Sequence, residues 1–286
     1  MNLKILIQRC IPDRIMLKYS YYKRFKKNLD LKNPKTFNEK LQWLKLYDRK
    51  DIYTTMVDKY EVKKYVADII GEDYIIPTIG IYEKWEDIDF NKLPEQFVIK
   101  CTHDSGGLVI VKDKKQFDKK SAEEKIKKCL KNNFFYAGRE WPYKNVKPRI
   151  LIEEYLEDEV DKELRDYKFF CFNGIPQMLF IATNRQGNEE TCFDFFDMDF
   201  NNLGIINGHP NASVSPHKPY NYEKMKELAS MLSKDIPHVR VDFYEVNNRV
   251  LFGELTFYHW SGFVPFEPNE WDLKMGEMID LSKVRK

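Results

Sequence analysis

Cysteine is scarce in this sequence, and long apolar runs are absent from it. The five cysteines among 286 residues are scattered, odd in number and without CxxC or histidine spacing. This distribution fits a reducing cytoplasm and argues against a disulfide framework or a zinc site. No apolar run is long enough for a membrane span. Lys4, Arg9 and Asp13 interrupt the apolar residues at the amino terminus, so no signal peptide is predicted.

Strong net charge and the common nucleotide-binding glycine motifs are also missing. A formal charge of +2 gives no general reason to expect nucleic acid as a partner. Neither G-x-G-x-x-G nor G-x-x-x-x-G-K-[ST] occurs, which excludes the Rossmann and P-loop signatures. The residues are 43% hydrophobic and 15% aromatic, enough for a substantial core. The order of predicted helices, hairpins and single strands indicates an α+β fold built on antiparallel sheets.

Local signals mark several elements. Thr36 and Glu39 have the spacing of a helix capping box, and Asn173-Gly174 between two apolar runs predicts a two-residue hairpin turn. A helix is predicted from Met56 to about Ile70. Another is predicted over Ser121–Lys131, with Ser121 as its N-cap.

The first 35 residues contain ten Lys or Arg and two Asp, interleaved with apolar residues. Two interpretations are open. The segment is either a basic amphipathic helix on an anionic membrane, or a helix packed on the protein with its charges in water.

Two apolar segments flank a turn-rich insert near the carboxyl terminus: Val239–Tyr244, Glu245–Arg249 and Leu251–Thr256. This pattern predicts a β-hairpin, in which Arg240 and Asp242 share one face, as do Glu254 and Thr256. Carboxylates among apolar residues are costly unless they are neutralised, and a hard divalent cation such as Mg²⁺ would do this. The alternative is two surface carboxylates paired with Lys or Arg.

A second hairpin is predicted over residues 96–111, with Ser105-Gly106-Gly107 at its tip. Backbone N–H groups of such a loop can approach a phosphate closely, and Lys100 ends the apolar strand before it. An ordinary hairpin whose lysine extends to solvent remains the alternative.

Four segments occur in a distinctive order: Asp58-Lys59, Phe97–Lys100 with the Ser-Gly-Gly loop, Ile150–Leu156, and Arg240–Asp242 with Gly253–Thr256. In this order the chain resembles the ATP-grasp superfamily. Its Phe37–Leu41, Lys100–Gly106 and Glu254–Phe257 runs are similar to the TupA-like branch, which is associated with teichuronopeptide and capsular polysaccharide synthesis.

The resemblance implies antiparallel sheets in two lobes that clasp a nucleotide cleft. The implied parts are a basic, mainly helical region (1–55), a lobe with the phosphate loop (56–152) and a lobe with the metal-binding hairpin (153–286). It also implies an ATP- and Mg²⁺-dependent carboxylate-amine ligase acting through an acyl phosphate. The cysteine pattern predicts a cytoplasmic location, and the basic residues 1–35 leave contact with the inner membrane face as an option. A transferase or sugar kinase of the same pathway and a non-catalytic membrane-binding module are the alternatives.

The resemblance further implies roles for individual residues. Lys59 and Lys100 would contact ATP phosphates from opposite lobes, and Arg240 and Lys100 would be catalytic. The metal ligands would be Asp242, Glu254 and Thr256, although many family members have Asn where Thr256 stands. The remaining ATP-binding residues would be His103, Ser105, Gly106 and Gly107 over the phosphates, Glu153, Glu154, Tyr155 and Leu156 around adenine, and Asp166 at the ribose. Lys168 follows Asp166 by two residues and is a further candidate for the same cleft. The alternative for Lys168 is a strand lysine that extends into solvent.

Two residues outside these motifs are candidates for substrate contacts. Arg185 is a candidate for binding a carboxylate or phosphate of a substrate. His259, beside Trp260, is either a substrate contact or a packed neighbour of the surrounding aromatic residues.

Overall fold

The computed structural model describes residues 10–158, 164–185 and 190–284. The chain divides into two α+β units. The central unit is Lys50–Glu157, and the discontinuous unit joins Met1–Arg49 to Asp158–Lys286. Each unit contains an antiparallel sheet with helices, which confirms the predicted fold class. The three-part division at residues 55 and 152 stays a prediction. Along the described residues, none of the helices is both long and apolar enough to cross a bilayer.

The α-helices follow one another in chain order as α1 (Asp13–Phe25), α2 (Phe37–Tyr47), α3 (Ile52–Val57), α4 (Glu61–Ile70), α5 (Lys119–Leu130), α6 (Phe135–Gly138), α7 (Tyr222–Leu232) and α8 (Glu270–Met278). Short 3₁₀ helices lie at Glu72–Tyr74, Trp85–Asp87, Phe90–Lys92, Lys114–Gln116, Trp141–Asn145, His259–Gly262 and Leu281–Lys283.

The start of α2 matches its prediction. The Thr36 hydroxyl accepts a hydrogen bond from the Glu39 backbone N–H at 3.3 Å, and the Glu39 carboxylate accepts one from the Thr36 N–H at 3.1 Å. This reciprocal pair satisfies two N–H groups that the first helical turn leaves without backbone partners. The predicted capping box is therefore confirmed.

Two other helices were predicted in nearly the right place, but the start of each was wrong. The helix predicted from Met56 is interrupted after Val57, because the Asp58 carboxylate accepts the N–H groups of Tyr60 and Glu61 and starts α4 afresh. Helix α5 begins two residues before Ser121, which is not its N-cap. Asp118 caps this helix by accepting the Ser121 N–H at 3.0 Å.

The sheet of the central unit has the order β1-β4-β2-β3, with β1 (Thr78–Tyr82), β2 (Phe97–Cys101), β3 (Leu108–Val111) and β4 (Ile150–Glu154). All of its pairings are antiparallel. The helix α5 contributes Ala122, Ile126 and Cys129 to a core that includes the buried side chains of β2 and β4. This core fixes the strand that carries Lys100.

The sheet of the discontinuous unit has the order β7-β6-β5-β8-β9, with β5 (Asp166–Phe172), β6 (Ile175–Thr183), β7 (Cys192–Asp197), β8 (His238–Val246) and β9 (Arg249–Thr256). Asn173 and Gly174 connect β5 to β6 with φ of 52° and 86°, which confirms that turn. The β8–β9 connection is shorter than the predicted five residues. Only Asn247 and Asn248 lie outside the strands, with φ of 50° and 62°, values that asparagine tolerates.

The two faces of this second sheet differ. Helix α7 packs on one face, where Tyr222 meets Phe169 and the Cys171 thiol approaches the Ala229 carbonyl. The opposite face carries Phe170 and Phe172, and Phe37 of α2 packs against both rings. The polar residues described next lie on this second face.

Candidate active site

A row of charged residues crosses three strands of the discontinuous unit. Lys168 of β5 pairs with Asp242 of β8, and Asp242 pairs with Glu254 of β9. Directly paired residues of antiparallel strands project to the same face. Register therefore brings together side chains that are far apart in sequence.

A β-bulge at Gly253 sets this register. Phe243 pairs with Phe252, whereas Asp242 pairs with Glu254, so Gly253 is left out of the ladder. Continued regular pairing would put Gly253 opposite Asp242. A Cβ on Gly253 would lie 3.1 Å from the Asp242 carbonyl oxygen, so the bulge is tight. Bulges commonly re-aim side chains beside active sites, and this one aligns the two acids.

Arg240 connects the acids. Its Nε and Nη2 donate to the two carboxylate oxygens of Asp242, each at 2.7 Å. The same Nη2 donates to Glu254 Oε1 at 3.2 Å and to Thr256 Oγ1 at 3.0 Å. A bidentate pair fixes the plane of a guanidinium as well as its place.

Lys168 lies between two buried acids. Its Nζ donates to Asp166 Oδ1 at 3.0 Å and also to the Asp242 carboxylate. Burial lowers the pKa of Lys168, and Asp242 opposes that effect. Asp166, predicted at the ribose, also forms an ion pair with Arg185. Both predicted roles stay predictions, but the structure does bring Asp166, Lys168 and Asp242 together.

The donor chemistry of this site suits Mg²⁺. Asp242, Glu254 and Thr256 offer only oxygen ligands, which hard divalent cations prefer. The Asp242 side chain is 1% exposed and that of Glu254 is 43% exposed. One buried and one accessible carboxylate, directly opposite each other, fit an ion held at the edge of the sheet.

His259 and Asn207 extend the network beyond the predicted residues. Arg240 Nη1 donates to His259 Nδ1 at 2.7 Å, and His259 Nε2 lies 2.8 Å from Asn207 Oδ1. His259 also packs edge-on against Phe170, as one sequence interpretation expected. Sequence reasoning missed its bond to Arg240. It missed Asn207 as well, because a loop without periodicity gives no signal for a long-range contact.

A second charged cluster lies within the central unit. Glu153 of β4 is buried and forms ion pairs with Lys100 of β2 and Lys63 of α4, each at 2.5 Å. Burial alone raises the pKa of Glu153, but Lys100 and Lys63 outweigh it and hold the pKa below its usual value. Lys63 was missed, since nothing in the sequence shows which strand its helix faces.

Lys59 holds the predicted phosphate loop. Its backbone N–H donates to the Thr102 carbonyl at 3.1 Å, and its Nζ donates to the Asp104 carbonyl. Lys59 and Lys100 both belong to the central unit, so the prediction that they reach ATP from opposite lobes was wrong. The physical reason is that the turn before α4 hydrogen-bonds directly to the end of β2.

The loop itself is organised by Asp104. The Asp104 carboxylate accepts the N–H of Gly106 at 3.3 Å and of Gly107 at 3.0 Å, and it accepts a hydrogen bond from the Cys129 thiol. Ser105 and Gly106 are exposed, whereas the His103 side chain is buried with its Nε2 3.1 Å from the Cys129 carbonyl. A phosphate contact by His103 therefore stays a prediction that concerns its backbone.

Cys101 and Cys129 meet beside Asp104, with their ligand atoms within 4.8 Å of one another. Burial raises the pKa of Cys101, and burial with the nearby Asp104 raises that of Cys129 to about 11. In the structure, the hydrogen bond from the Cys129 thiol to Asp104 connects the loop to α5.

The segment predicted to line adenine follows Glu153. Glu154 is exposed, and its backbone N–H donates to the Pro77 carbonyl at 3.2 Å. The Tyr155 hydroxyl donates to Glu157 at 3.1 Å, and Leu156 is partly buried. Glu154 and Tyr155 border an open groove of about 530 Å³ within the central unit.

The comparison with solved structures matches three ligases among others, each with a TM-score below 0.5. D-alanine-D-alanine ligase from Helicobacter pylori is 15% identical, with a TM-score of 0.45 over 85% of this chain and 69% of that one. VanG D-Ala:D-Ser ligase from Enterococcus faecalis is 13% identical, with a TM-score of 0.41 over 71% and 52%. The ATP-grasp ligase PsnB, complexed with minimal precursor, Mg and ADP, is 10% identical, with a TM-score of 0.43 over 87% and 66%. The chain thus spans between about half and two thirds of their lengths.

No curated protein matches the sequence. The family model described as TupA-like ATPgrasp matches residues 39–280, which is most of the chain. This match confirms the ATP-grasp fold, and it supports ATP binding and an ATP-dependent ligase. The chain therefore belongs to the TupA-like ATP-grasp family, as its motifs predicted.

Proposed function

We propose that this protein is an ATP-dependent, Mg²⁺-requiring ligase that joins a carboxylate to an amine. The observation that carries the proposal is the arrangement of Arg240 between two directly opposed acids, Asp242 and Glu254. A cation and two carboxylates in one row suit phosphoryl transfer, which depends mainly on positioning and on charge neutralisation.

The discontinuous unit supplies the catalytic and metal-binding residues in this proposal. Arg240 stabilises the negative charge of the transferring phosphoryl group. Asp242, Glu254 and the Thr256 hydroxyl hold Mg²⁺, which, when bound, supplies positive charge beside the phosphates. Lys168 and Asp166 contact the nucleotide, and their mutual hydrogen bond supports a shared role.

The central unit supplies nucleotide-binding residues. Lys59 and Lys100 contact phosphates, and the loop from His103 to Gly107 covers them through backbone N–H groups. Lys59 already fixes this loop through the Asp104 carbonyl. Glu153, Glu154, Tyr155 and Leu156 line adenine, mostly with backbone groups, because the Glu153 carboxylate is committed to Lys63 and Lys100.

The proposed reaction has two steps. A carboxylate oxygen attacks the γ-phosphorus of ATP, the bond to the ADP oxygen breaks, and an acyl phosphate forms. The amine then attacks the acyl carbon, a C–N bond forms, phosphate leaves, and the nitrogen loses a proton. We propose a cytoplasmic reaction whose acid and amine belong to a surface polysaccharide precursor of the capsular or teichuronopeptide type, as the family resemblance suggests.

The test is release of ADP with a panel of amino and uronic acids crossed with a panel of amino acids and amino sugars. The acids carry ¹⁸O in their carboxylates. ADP that appears only with both partners, together with ¹⁸O in the released phosphate, is the expected result. A phosphorylated sugar formed without any amine would replace the ligase by a kinase. Failure to bind any nucleotide with Mg²⁺ would exclude both.

Helix α1 supports a proposal about location. Leu17 and Tyr21 are buried, so one face packs on the discontinuous unit. Ile15, Tyr19 and Tyr22 form a stripe on the other face and are more than half exposed. Of the predicted contact segment 1–35, residues 1–9 lie outside the described residues. Helix α1 therefore packs on the protein through one face, as one sequence interpretation expected. Its other face exposes apolar residues, as the membrane interpretation expected.

We propose that this stripe rests on an anionic membrane, since exposed Lys18 and Lys23 flank it. Co-sedimentation with phosphatidylserine vesicles, but not with phosphatidylcholine vesicles, is the expected result. Replacing Ile15, Tyr19 and Tyr22 by Ser should abolish it. Equal sedimentation of the variant and the wild type would refute the contact.

A further inference from the structure

We propose that His259 is a positioning residue for Arg240, and that Asn207 fixes the ring of His259 for this task. The proposal rests on the proposed function, because it concerns how Arg240 is presented to the γ-phosphate. It assigns a role to two residues that lie outside the family motifs.

Hydrogen-bond chemistry determines the tautomer. A guanidinium has only donors, so the 2.7 Å contact between Arg240 Nη1 and His259 Nδ1 requires Nδ1 to be the acceptor. The ring proton of a neutral His259 is then on Nε2, which donates to Asn207 Oδ1 at 2.8 Å. The orientation of the Asn207 amide follows from its other end, where Nδ2 donates to the carbonyls of Pro265 at 2.9 Å and Val264 at 3.3 Å.

The surroundings keep His259 neutral. His259 is 3% exposed and Asn207 is 1% exposed. Burial, followed by the positive charge of Arg240, lowers the pKa of His259 well below its usual value. An imidazolium would have no lone pair to offer and would repel the guanidinium. The neutral ring is the form that can accept from Arg240.

The backbone after His259 is held in an unusual conformation. Trp260, Ser261 and Gly262 have φ of 48°, 55° and 64°, in the left-handed region that non-glycine residues rarely adopt. Such conformations persist where the surrounding contacts fix them, and they concentrate at functional sites. The position of His259 is therefore imposed by tertiary contacts rather than by local preference.

Helix α2 supplies those contacts. Gln42 Nε2 donates to the carbonyls of Ser261 at 3.1 Å and Gly262 at 2.9 Å. The fully buried Lys45 donates from Nζ to the Ser261 carbonyl at 2.8 Å and to its hydroxyl at 2.9 Å. A Cβ on Gly262 would collide with Gln42, so the turn and the helix fit closely. Gln42 and Lys45 of α2 therefore hold the turn that follows His259 in place.

The N–H groups of the Arg240 guanidinium donate to two different sets of partners. Nε and Nη2 bond to Asp242, and Nη2 reaches Glu254 and Thr256, whereas Nη1 bonds to His259. Loss of the His259 acceptor removes the restraint on the Nη1 side of the guanidinium. The expected consequence is weaker recognition of the γ-phosphate, with little change for the rest of the nucleotide.

The test compares three variants by calorimetry, each with Mg–ADP and with Mg–AMP-PNP, a non-hydrolysable analogue that adds the γ-phosphate. His259→Phe should weaken Mg–AMP-PNP binding about tenfold, the scale of residues that orient a ligand-binding group. Its Mg–ADP affinity should stay close to that of the wild type, because ADP lacks the γ-phosphate that Arg240 is proposed to contact. His259→Gln, whose amide oxygen can accept, should recover most of the loss.

His238→Phe is the matched control. His238 is equally buried and stacks on Phe172, but its Nδ1 bonds to the Cys171 carbonyl rather than to Arg240. It should bind both nucleotides as wild type does. Equal selective losses in His238→Phe and His259→Phe, or no selective loss in His259→Phe, would overturn the positioning role alone. Absence of Mg–ADP binding to the wild type would overturn the proposed function and this inference with it.

A nucleotide-free measurement tests the same geometry. In ¹⁵N-histidine NMR spectra at neutral pH, wild-type His259 should carry its proton on Nε2, and Nδ1 should have the shift of a hydrogen-bonded acceptor. A proton on Nδ1 would contradict the bond from Arg240. His259→Gln should lose only this set of signals, which assigns them.

Discussion

Glu254 faces Asp242 across the β8–β9 pair because Gly253 is bulged out of the ladder. A single extra residue thereby turns two acids, twelve positions apart, into direct neighbours on one face. The alternation of side chains along each strand determines only which face of that strand an acid occupies. The bulge decides which residues stand opposite each other.

Asp242→Asn should abolish the stabilisation by Mg–ATP in a thermal-shift assay and lower ligase turnover about 100-fold or more, because it removes a charged group of the site. Asp194→Asn is the matched control. Asp194 is 1% exposed and pairs with Ile181, on the opposite face of the same sheet. Unchanged Mg–ATP stabilisation in a folded Asp242→Asn variant would contradict the metal assignment.

Gly107→Ala should destabilise the protein by about 1–3 kcal/mol, the usual cost of overpacking a core. A Cβ at this position would lie 2.6 Å from Cys101 Sγ and 3.0 Å from Cys129 Sγ. Gly106→Ala, in the same loop, meets no atom closer than 4.0 Å and should be nearly neutral. Urea unfolding of the two variants measures the difference, and equal losses of stability would contradict the close packing of Gly107 against the two cysteines.

Glu153→Gln should cost about 3 kcal/mol at pH 7, because it leaves Lys63 and Lys100 without their buried counter-ion. Glu154→Gln, on the next and exposed position of β4, should change stability by less than about 0.5 kcal/mol. Chemical denaturation compares the two. A loss of similar size in both variants would contradict the buried ion-pair cluster.

The same variant predicts a pH dependence. The folded pKa of Glu153 lies below its ordinary value, so its contribution is present above the unfolded pKa and is lost as pH falls through the folded pKa. The stability difference between wild type and Glu153→Gln should therefore shrink as pH falls from about 5 towards 3, the region where glutamate titrates. A difference that is constant over this range would show that the charge of Glu153 is not what stabilises the cluster.

His238 gives a second pH dependence with the same sign. Burial lowers the pKa of His238 to about 3, from an ordinary value of 6.5. Its unfolded form takes up a proton first, so stability present above pH 6.5 is lost as pH falls towards 3, by up to about 1.4 kcal/mol per pH unit. Relative to His238→Phe, the wild type should become progressively less stable between pH 7 and pH 4. Parallel pH profiles would refute a neutral, buried His238.

Much of the local structure was predictable because its causes lie within a few residues. The Thr36–Glu39 capping box and the Asn173-Gly174 turn each depend on adjacent backbone groups, and both predictions are confirmed. The interruption of the helix at Asp58 was missed. Side-chain acceptors compete with helical hydrogen bonds at such positions, and apolar periodicity does not reveal which of them wins.

The site was predictable only in part. The motifs supplied Arg240, Asp242 and Glu254, and the spacing to Asp166 supplied Lys168. The sheet brings all four into adjacent rows. Lys63 and Asn207 were not predicted. Lys63 pairs with Glu153, 90 residues away, and Asn207 bonds to His259, 52 residues away. No periodic pattern connects residues at such separations.

By itself, the sequence determined the α+β class, several turns and caps, and the ordered motifs that place the chain in its family. These depend on short-range backbone preferences and on residue identity. Only the tertiary structure decided that Glu153 neutralises two lysines, that Gly253 leaves the ladder, and that His259 accepts from Arg240. The reason is that strand register and helix docking are set by the packing of the whole core, so they fix distances between side chains that no local stretch of sequence encodes.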